Sequence, residues 1–153
     1  MAFAEARRAG ALDTGVIDLV MKVSEDRGRT WQTQQVICQH RVGELRGKCG
    51  NATPVFDQRS GRIFLAYNLS GVPADTQSGR HHSSHIKYSV DGGLSWSEAT
   101  TVADDNLVFG PGHGIQKTNK PFAGRLVIPA YENEFATALY SDDMGESWQR
   151  SQG

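Results

Sequence analysis

The chain has 153 residues, of which 38% are hydrophobic and 22% charged, and its formal net charge is −1. This composition is typical of a folded globular protein and excludes a largely disordered chain. The balanced charge gives no indication of a nucleic acid or an anionic membrane as partner. No apolar run approaches the roughly 20 residues that a membrane-spanning helix needs, so we predict no membrane span.

In chain order, the sequence predicts strands at residues 17–23, 33–37, 61–67, 85–88, 124–131 and 137–140. Most of these segments are largely apolar or alternate apolar and polar residues, residues 33–37 form the short strand after the first Trp, and turn-forming residues separate the segments. Residues 1–5 are interpreted as the remainder of a further strand. No segment has a helical period.

An eight-residue pattern, Ser-x-Asp-x-Gly-x-Ser/Thr-Trp, occurs three times, at residues 24–31, 89–96 and 141–148. In such a turn the Asp can accept hydrogen bonds from backbone amides, and the Gly supplies a backbone angle that other residues resist. The Trp can pack on the next sheet face. We therefore predict three structural turns without a chemical role, stabilised by Asp26, Gly28, Trp31, Asp91, Gly93, Trp96, Asp143, Gly145 and Trp148.

A second repeat lies upstream of the last two turns, because residues 61–67 and 124–131 both begin with Gly-Arg and continue as an apolar strand. Each unit thus consists of a strand, a variable loop, a strand, the turn and a last strand. Units of this size suit the four-stranded blades of a β-propeller. We predict an all-β domain over residues 1–153, with blade units at roughly 1–40, 50–103 and 107–153.

The three turns, with residues 2–7, 50–57, 109–116 and 124–131, resemble the sialidase (neuraminidase) superfamily over nearly the whole chain. The resemblance implies a six-bladed propeller, about half of it in this chain, with the active site opposite the turns, which the family calls Asp boxes. It also implies an exo-α-sialidase that needs no cofactor or metal and releases terminal sialic acid from glycoconjugates with retention. In that chemistry a Tyr is the nucleophile, a Glu activates it, an Asp serves as acid and base, and three arginines bind the substrate carboxylate.

The resemblance makes Asp13 the candidate catalytic acid and base; the alternative is a turn residue in a Gly-flanked loop. It places Glu5 and Arg7 around the ring hydroxyls of the sugar; the alternative is a solvated pair at a strand end. A slip of one residue in strand register would exchange Arg7 for Arg8.

Two further substrate-binding candidates follow from the same resemblance. Asn51 matches a pocket position near the N-acetyl group, and the alternative is a turn residue or strand entry. Tyr131 could contribute to the pocket rim or be a core aromatic. We expect His113 to be a structural loop residue, and residues 81–84 to form a solvated loop that leads into a strand at His85, without a metal site.

The family's first triad arginine belongs before Met1, and its Glu, its other two arginines and its Tyr belong beyond Gly153. We therefore expect an N-terminal fragment that needs the remaining blades of a parent chain and is inactive alone. The alternatives are a non-catalytic Asp-box propeller that acts as a binding module, and a trans-sialidase. Linkage preference, compartment and the pairing of Cys38 with Cys49 stay open.

Overall fold

The computed structural model describes residues 1–9, 16–39, 46–72, 81–103, 106–133 and 135–151, and side chains are described from Met1 to Ala6 at the start of the chain. The described residues form strands and turns and contain no helix that could cross a membrane. The strands are β1 (Ala2–Ala9), β2 (Val16–Lys22), β3 (Gln35–Cys38), β4 (Arg46–Phe56), β5 (Ile63–Val72), β6 (His81–Ser89), β7 (Thr100–Ala103), β8 (Leu107–Phe109), β9 (Ile115–Gln116), β10 (Leu126–Glu132), β11 (Phe135–Ser141) and β12 (Gln149–Arg150).

The chain forms two compact units, and strands β4, β5 and β6 contribute residues to both. The first unit contains Met1–Gly50 and Leu69–His82, and the second contains Asn51–Asn68 and Ser83–Gly153. These boundaries differ from those of the three predicted blade units, and the division into blades stays a prediction.

In the first unit, β1 pairs with β2 in antiparallel register, from Ala2 opposite Lys22 to Ala9 opposite Val16. Strand β2 also pairs with β3 in antiparallel register and with β4 in parallel register. Five consecutive residues of β2, from 17 to 21, are buried, which explains its nearly continuous apolar sequence.

A disulfide joins β3 to β4 in the first unit. Cys38 and Cys49 form this bond, with Cα atoms 5.9 Å apart, and Cys49 is fully buried. The pairing that the sequence left open is thereby answered. Closing a loop of this size stabilises a fold by about 3 kcal/mol, because the unfolded chain loses conformational freedom.

In the second unit, β10 is the central strand of a sheet and pairs in antiparallel register with β8, β9 and β11. Strands β5, β6 and β7 are neighbours in the other part of the unit. The apolar core between these strands has eleven buried members: Val55, Phe64, Ala66, Ile86, Ala103, Leu107, Phe109, Leu126, Ile128, Ala130 and Leu139.

A buried polar cluster connects β5 and β6 with β8 inside this core. The Asn68 side chain is 2% exposed, donates to Ser84 Oγ at 2.8 Å and accepts from the Phe109 amide at 2.8 Å. Ser84 Oγ in turn donates to the Leu107 carbonyl at 2.6 Å. Because buried polar groups are costly unless they are paired, this cluster specifies one alignment of the three strands.

The three Asp-box turns share one set of hydrogen bonds. In the first turn, Ser24 Oγ donates to Asp26 Oδ1 at 2.8 Å and accepts from the Gly28 amide at 2.7 Å. The amide and hydroxyl of Thr30 donate to the two oxygens of Asp26 at 2.8 and 2.6 Å. The same four bonds recur in the other turns, through Ser89, Asp91, Gly93 and Ser95, and through Ser141, Asp143, Gly145 and Ser147.

Each turn contains two consecutive residues with positive φ, of which the sequence indicated only the second. The motif glycines Gly28, Gly93 and Gly145 have φ angles of 85°, 92° and 85°. The residues before them also lie in the left-handed region, with φ angles of 62° for Arg27, 72° for Gly92 and 62° for Met144. A non-glycine residue is strained there, so the hydrogen bonds of the turn must hold it in place.

The tryptophans of the first and third turns differ in environment. Trp148 packs edge to face on Phe64 of β5, with ring centroids 5.7 Å apart, and lies partly buried against the core of the second unit. Trp31 is 45% exposed. Gly145 also contacts Phe64, because a Cβ atom built on Gly145 would lie 2.1 Å from the ring. The third turn is thus fitted tightly to β5.

The Gly-Arg repeat gives two equivalent arginines that cover a tyrosine beside a turn. The Arg62 guanidinium lies 4.9 Å from the Tyr88 ring centroid, and that of Arg125 lies 4.2 Å from Tyr140. Each tyrosine directly precedes the Ser of a turn. Each arginine also donates a hydrogen bond of 2.6 Å to a carboxylate in the third turn. Arg62 donates to Glu146, and Arg125 donates to Asp142.

Replacing Gly145 by Ala should destabilise the second unit more than the equivalent Gly28→Ala change destabilises the first. Both glycines have φ +85°, but a Cβ on Gly28 meets only Trp31 at an ordinary 3.7 Å. We expect a loss of about 1–2 kcal/mol in unfolding free energy from the backbone conformation at either site. Overlap with Phe64 should add about 1–3 kcal/mol in Gly145→Ala. Urea denaturation measures the unfolding free energy of both variants. Equal losses would contradict a tight contact between Gly145 and Phe64.

The Asp-box carboxylates should make stability fall in acid. Hydrogen bonds from the side chain and then the backbone of the residue four positions ahead lower the pKa of Asp26, Asp91 and Asp143 from 3.8 to about 2. A carboxyl with a depressed folded-state pKa stabilises the fold above its unfolded pKa, and that contribution is lost as the pH falls through about 2. Urea midpoints from pH 5 to 2 should fall less in Asp91→Asn than in the wild type, and parallel curves would contradict this origin.

Candidate functional site

The Glu5 carboxylate lies against the backbone of β4 in the first unit. Glu5 is the partner of Leu19 in the β1–β2 pairing. Its Oε2 lies 3.6 Å from Lys48 Nζ, and the side chain is 31% exposed. A Cβ atom at position 50 would overlap Glu5 Oε1, so any other residue there would displace the carboxylate from this position. Glu5 is therefore a held carboxylate that retains access to solvent.

The arginine and aspartate candidates are placed only in part. Arg7 lies in β1 opposite Ile17, just before an irregularity in register between Arg7 and Ala9. Its side chain, that of Arg8 and the whole of Asp13 lie outside the described residues. The roles of Arg7 and Asp13 stay predictions.

Asn51 lies inside β4, which begins at Arg46, so the expected alternative of a strand entry is wrong. Its φ angle is 57°, in the left-handed region that Asn tolerates better than most residues. Its carbonyl accepts a hydrogen bond from Thr53 Oγ1 at 3.2 Å, and the same hydroxyl donates to the Gly110 carbonyl at 2.5 Å. The strand is thus locally distorted directly after Gly50, at the residue the resemblance assigns to the pocket.

Tyr131 lies on the outward face of β10 in the second unit. It is 44% exposed, whereas the preceding Ala130 is 7% exposed and belongs to the core. Successive residues of a strand point to opposite faces, and the core face is occupied by Ala130. The alternative of a core aromatic is therefore wrong, and a contribution to a pocket rim stays a prediction.

The histidine-rich segment is a strand, because β6 begins at His81, and the expected solvated loop is wrong. The His85 ring stacks on Tyr67 with centroids 5.6 Å apart, and its nitrogens lie 2.8 Å from Ser83 Oγ and 3.3 Å from Thr101 Oγ1. His113 is exposed, with Nδ1 3.0 Å from the Gly114 carbonyl. The part of the chain that the structure describes contains no group of three residues suited to a metal ion.

Lys48 and Gly50 are the site residues that sequence reasoning missed. They are two residues apart on β4 and therefore share one face of the strand, with Cys49 on the other. The sequence offers one signal: Lys48 stands two residues before Gly50, and Gly50 directly precedes the Asn that matches the family pocket. That signal does not reveal the partner, because Glu5 is more than forty residues away in the chain.

The family model for the BNR repeat-like domain matches residues 1–153. The sialidase of Micromonospora viridifaciens is 28% identical over 165 aligned positions, which cover 95% of this chain and 26% of that protein. Sialidase-3 of Homo sapiens is 33% identical over 129 positions, which cover 64% of this chain and 29% of that protein. The chain thus spans less than a third of the length of these two relatives.

Among solved structures, the leech intramolecular trans-sialidase in complex with 2,7-anhydro-Neu5Ac has a TM-score of 0.81 and 17% identity. The match covers 97% of this chain and 40% of that one. At this identity the likeness concerns the fold alone. The all-β prediction is confirmed, and the strands follow the fold of a sialidase β-propeller over part of its length.

Asn51→Ala should be more damaging to stability than Asn51→Gly. Alanine pays about 1 kcal/mol or more in the left-handed conformation that Asn51 adopts with φ 57°, whereas glycine adopts it freely. Urea denaturation of both variants checks this expectation. A greater loss in Asn51→Gly would mean that the side chain, and not the backbone angle, determines the choice of Asn at this position.

Proposed function

Because the chain belongs to the family of BNR repeat-like domains, we propose that it forms part of the catalytic domain of an exo-α-sialidase. The substrate is the terminal sialic acid of a glycoprotein, glycolipid or oligosaccharide. The sialidase relatives from a bacterium and from Homo sapiens support this activity. The observation that carries the proposal within this chain is the Glu5 carboxylate of β1, which lies against β4 beside Lys48 and matches a position of the family's sugar pocket.

Glu5 suits the binding of sugar hydroxyls for a physical reason. An ionised carboxylate accepts hydrogen bonds at both oxygens, and a bond from a hydroxyl to a charged acceptor is stronger than one to a neutral acceptor. The carboxylate lies against β4 at Gly50, 3.6 Å from Lys48 Nζ, and is still partly exposed. Arg7, Asn51 and Tyr131 are proposed to complete the pocket around the ring, the N-acetyl group and the rim respectively.

Asp13 is proposed as the acid and base of the reaction. As an acid it protonates the glycosidic oxygen while the bond to the anomeric carbon breaks, and as a carboxylate it later takes a proton from the attacking water. The nucleophilic Tyr, the Glu that activates it and the three arginines are proposed to come from other blades of the propeller. The remaining blades are therefore proposed partners of this chain.

Hydrolysis and transfer differ in the acceptor of the sialyl group, which is water in one case and a hydroxyl in the other. The leech trans-sialidase resembles this chain in fold, and an acceptor-sugar assay would separate the two outcomes. A non-catalytic Asp-box module is the other alternative. That alternative predicts no turnover of a sialoside, and therefore no catalytic role for Asp13.

A chimera tests the proposed activity. The 153 residues replace the aligned segment of the Micromonospora viridifaciens sialidase, which supplies the remaining blades. We expect the chimera to hydrolyse 3′-sialyllactose, and Asp13→Asn to lower its kcat by roughly 10²–10⁴-fold, the usual contribution of general acid–base catalysis. The 153-residue chain alone should show no turnover of a fluorogenic sialoside.

Leaving-group dependence gives the control. An aryl sialoside with an acidic phenol leaves without much protonation, so Asp13→Asn should affect it much less than 3′-sialyllactose if Asp13 is the acid. A chimera that unfolds cooperatively but does not cleave either substrate would contradict the function. Turnover by the isolated chain that Asp13→Ala abolishes would contradict the need for the other blades.

A further inference from the structure

Lys48 forms an ion pair with Glu5, a residue of the proposed pocket. Its Nζ lies 3.6 Å from Glu5 Oε2, and its side chain is 21% exposed. Its aliphatic stem crosses Gly50, because a Cβ atom built there would lie 3.1 Å from Lys48 Cε. The lysine therefore extends along the strand over Gly50 and reaches the carboxylate from the β4 side.

The position of Lys48 relative to Glu5 is fixed by the backbone. On β2, Leu19 is the register partner of Glu5 on one side and of Cys38 on the other. The disulfide from Cys38 then fixes Cys49, the residue directly after Lys48. Strand β4 also pairs with β2 at Lys48 itself, opposite Ile17. One short span of β2 thus determines where both the carboxylate and the ammonium group lie.

Gly50 and Cys49 show how the two faces of β4 are used. Cys49 is fully buried and takes part in the disulfide, whereas Lys48 and Gly50 face Glu5. The glycine admits the carboxylate to the strand surface, and the lysine lies beside it. A flexible Glu side chain would otherwise lose rotamer freedom when it binds substrate, and contacts made beforehand reduce that loss.

We propose that Lys48 is a positioning residue, which holds the Glu5 carboxylate in the orientation that accepts the ring hydroxyls of a sialic acid. This role rests on the proposed function, since it concerns the same pocket. Lys48 acts through Glu5 and does not contact the substrate. The ion pair is partly shielded from solvent, so it is screened less than a pair on the open surface.

The first experiment needs no enzymatic activity. Side-chain NMR couplings of Glu5 in the 153-residue chain report whether its carboxylate populates one rotamer or several. We expect one dominant rotamer in the wild type and in Lys48→Arg, which keeps the charge, and averaging over several in Lys48→Met, which keeps the length of the stem. Unchanged couplings in Lys48→Met would overturn the proposal, whatever the activity of the chimera.

The second experiment measures kinetics in the chimera with 3′-sialyllactose. Lys48→Met should raise KM about tenfold with a smaller effect on kcat, because a misplaced binding group loses substrate contacts, and Lys48→Arg should restore most of the loss. Combined with Glu5→Gln, Lys48→Met should have no additional effect, since the residue through which it acts is already neutral. Gly50→Ala should reproduce the rise in KM, because its Cβ displaces the carboxylate.

The outcomes separate the two proposals. A folded but inactive chimera contradicts the sialidase function, while the NMR couplings still decide whether Lys48 orients Glu5. An active chimera in which Lys48→Met lowers kcat/KM equally with and without Glu5→Gln would overturn the positioning role, because Lys48 would then act independently of Glu5. An unchanged KM in Lys48→Met would overturn it as well.

Discussion

One carboxylate that accepts two hydrogen bonds from the same residue, four positions further along the chain, holds each of the three Asp-box turns. In the first turn these bonds join Asp26 to the amide and hydroxyl of Thr30 at 2.8 and 2.6 Å. Because a carboxylate accepts at two oxygens and a hydroxyl-bearing residue donates from two groups, the pair closes the turn with a defined geometry. The strands before and after each turn are thereby joined in a fixed register.

The consequences of this constraint differ along the chain. The third turn brings Trp148 and Gly145 against Phe64, so turn and core are fitted to each other in the second unit. In the first unit, the strand that leads into the turn is β2, and it also aligns β1 and β4. Strand β2 pairs with β1 and with β4, and this alignment brings the carboxylate of Glu5 to the backbone of Gly50. A structural turn and a candidate pocket thus depend on one strand.

The sequence was most informative where the contacts are local. The turns involve residues within eight positions of each other, and their pattern predicted the Asp and Gly roles that the structure contains. The left-handed angle at Arg27 and Met144 was not predictable from residue type, because neither residue favours it and the surrounding hydrogen bonds impose it. Strand positions were also local, although β6 begins at His81 because pairing, and not apolar periodicity, extends it.

The candidate site was less predictable because its contacts are distant in sequence. Nothing in the segment around Lys48 indicates Glu5 as its partner, and Asn68 and Ser84 are polar residues whose burial follows only from the approach of β8. The family resemblance predicts pocket roles for Glu5 and Asn51, since it carries information on three-dimensional proximity that residue patterns lack. It could not indicate Lys48 or Gly50, whose contacts with Glu5 depend on how β2 aligns β1 and β4.

The central claim is that the chain holds part of a sialic acid pocket on β1 and β4, apart from the Asp-box turns. A titration of the 15N-labelled chain with N-acetylneuraminic acid, followed through backbone amide shifts, tests it most directly. The account predicts weak binding that shifts the amides of Glu5, Lys48, Gly50 and Asn51 and leaves those of Gly28, Gly93 and Gly145 unchanged. Shifts centred on the turn glycines, or no shifts at all, would contradict it.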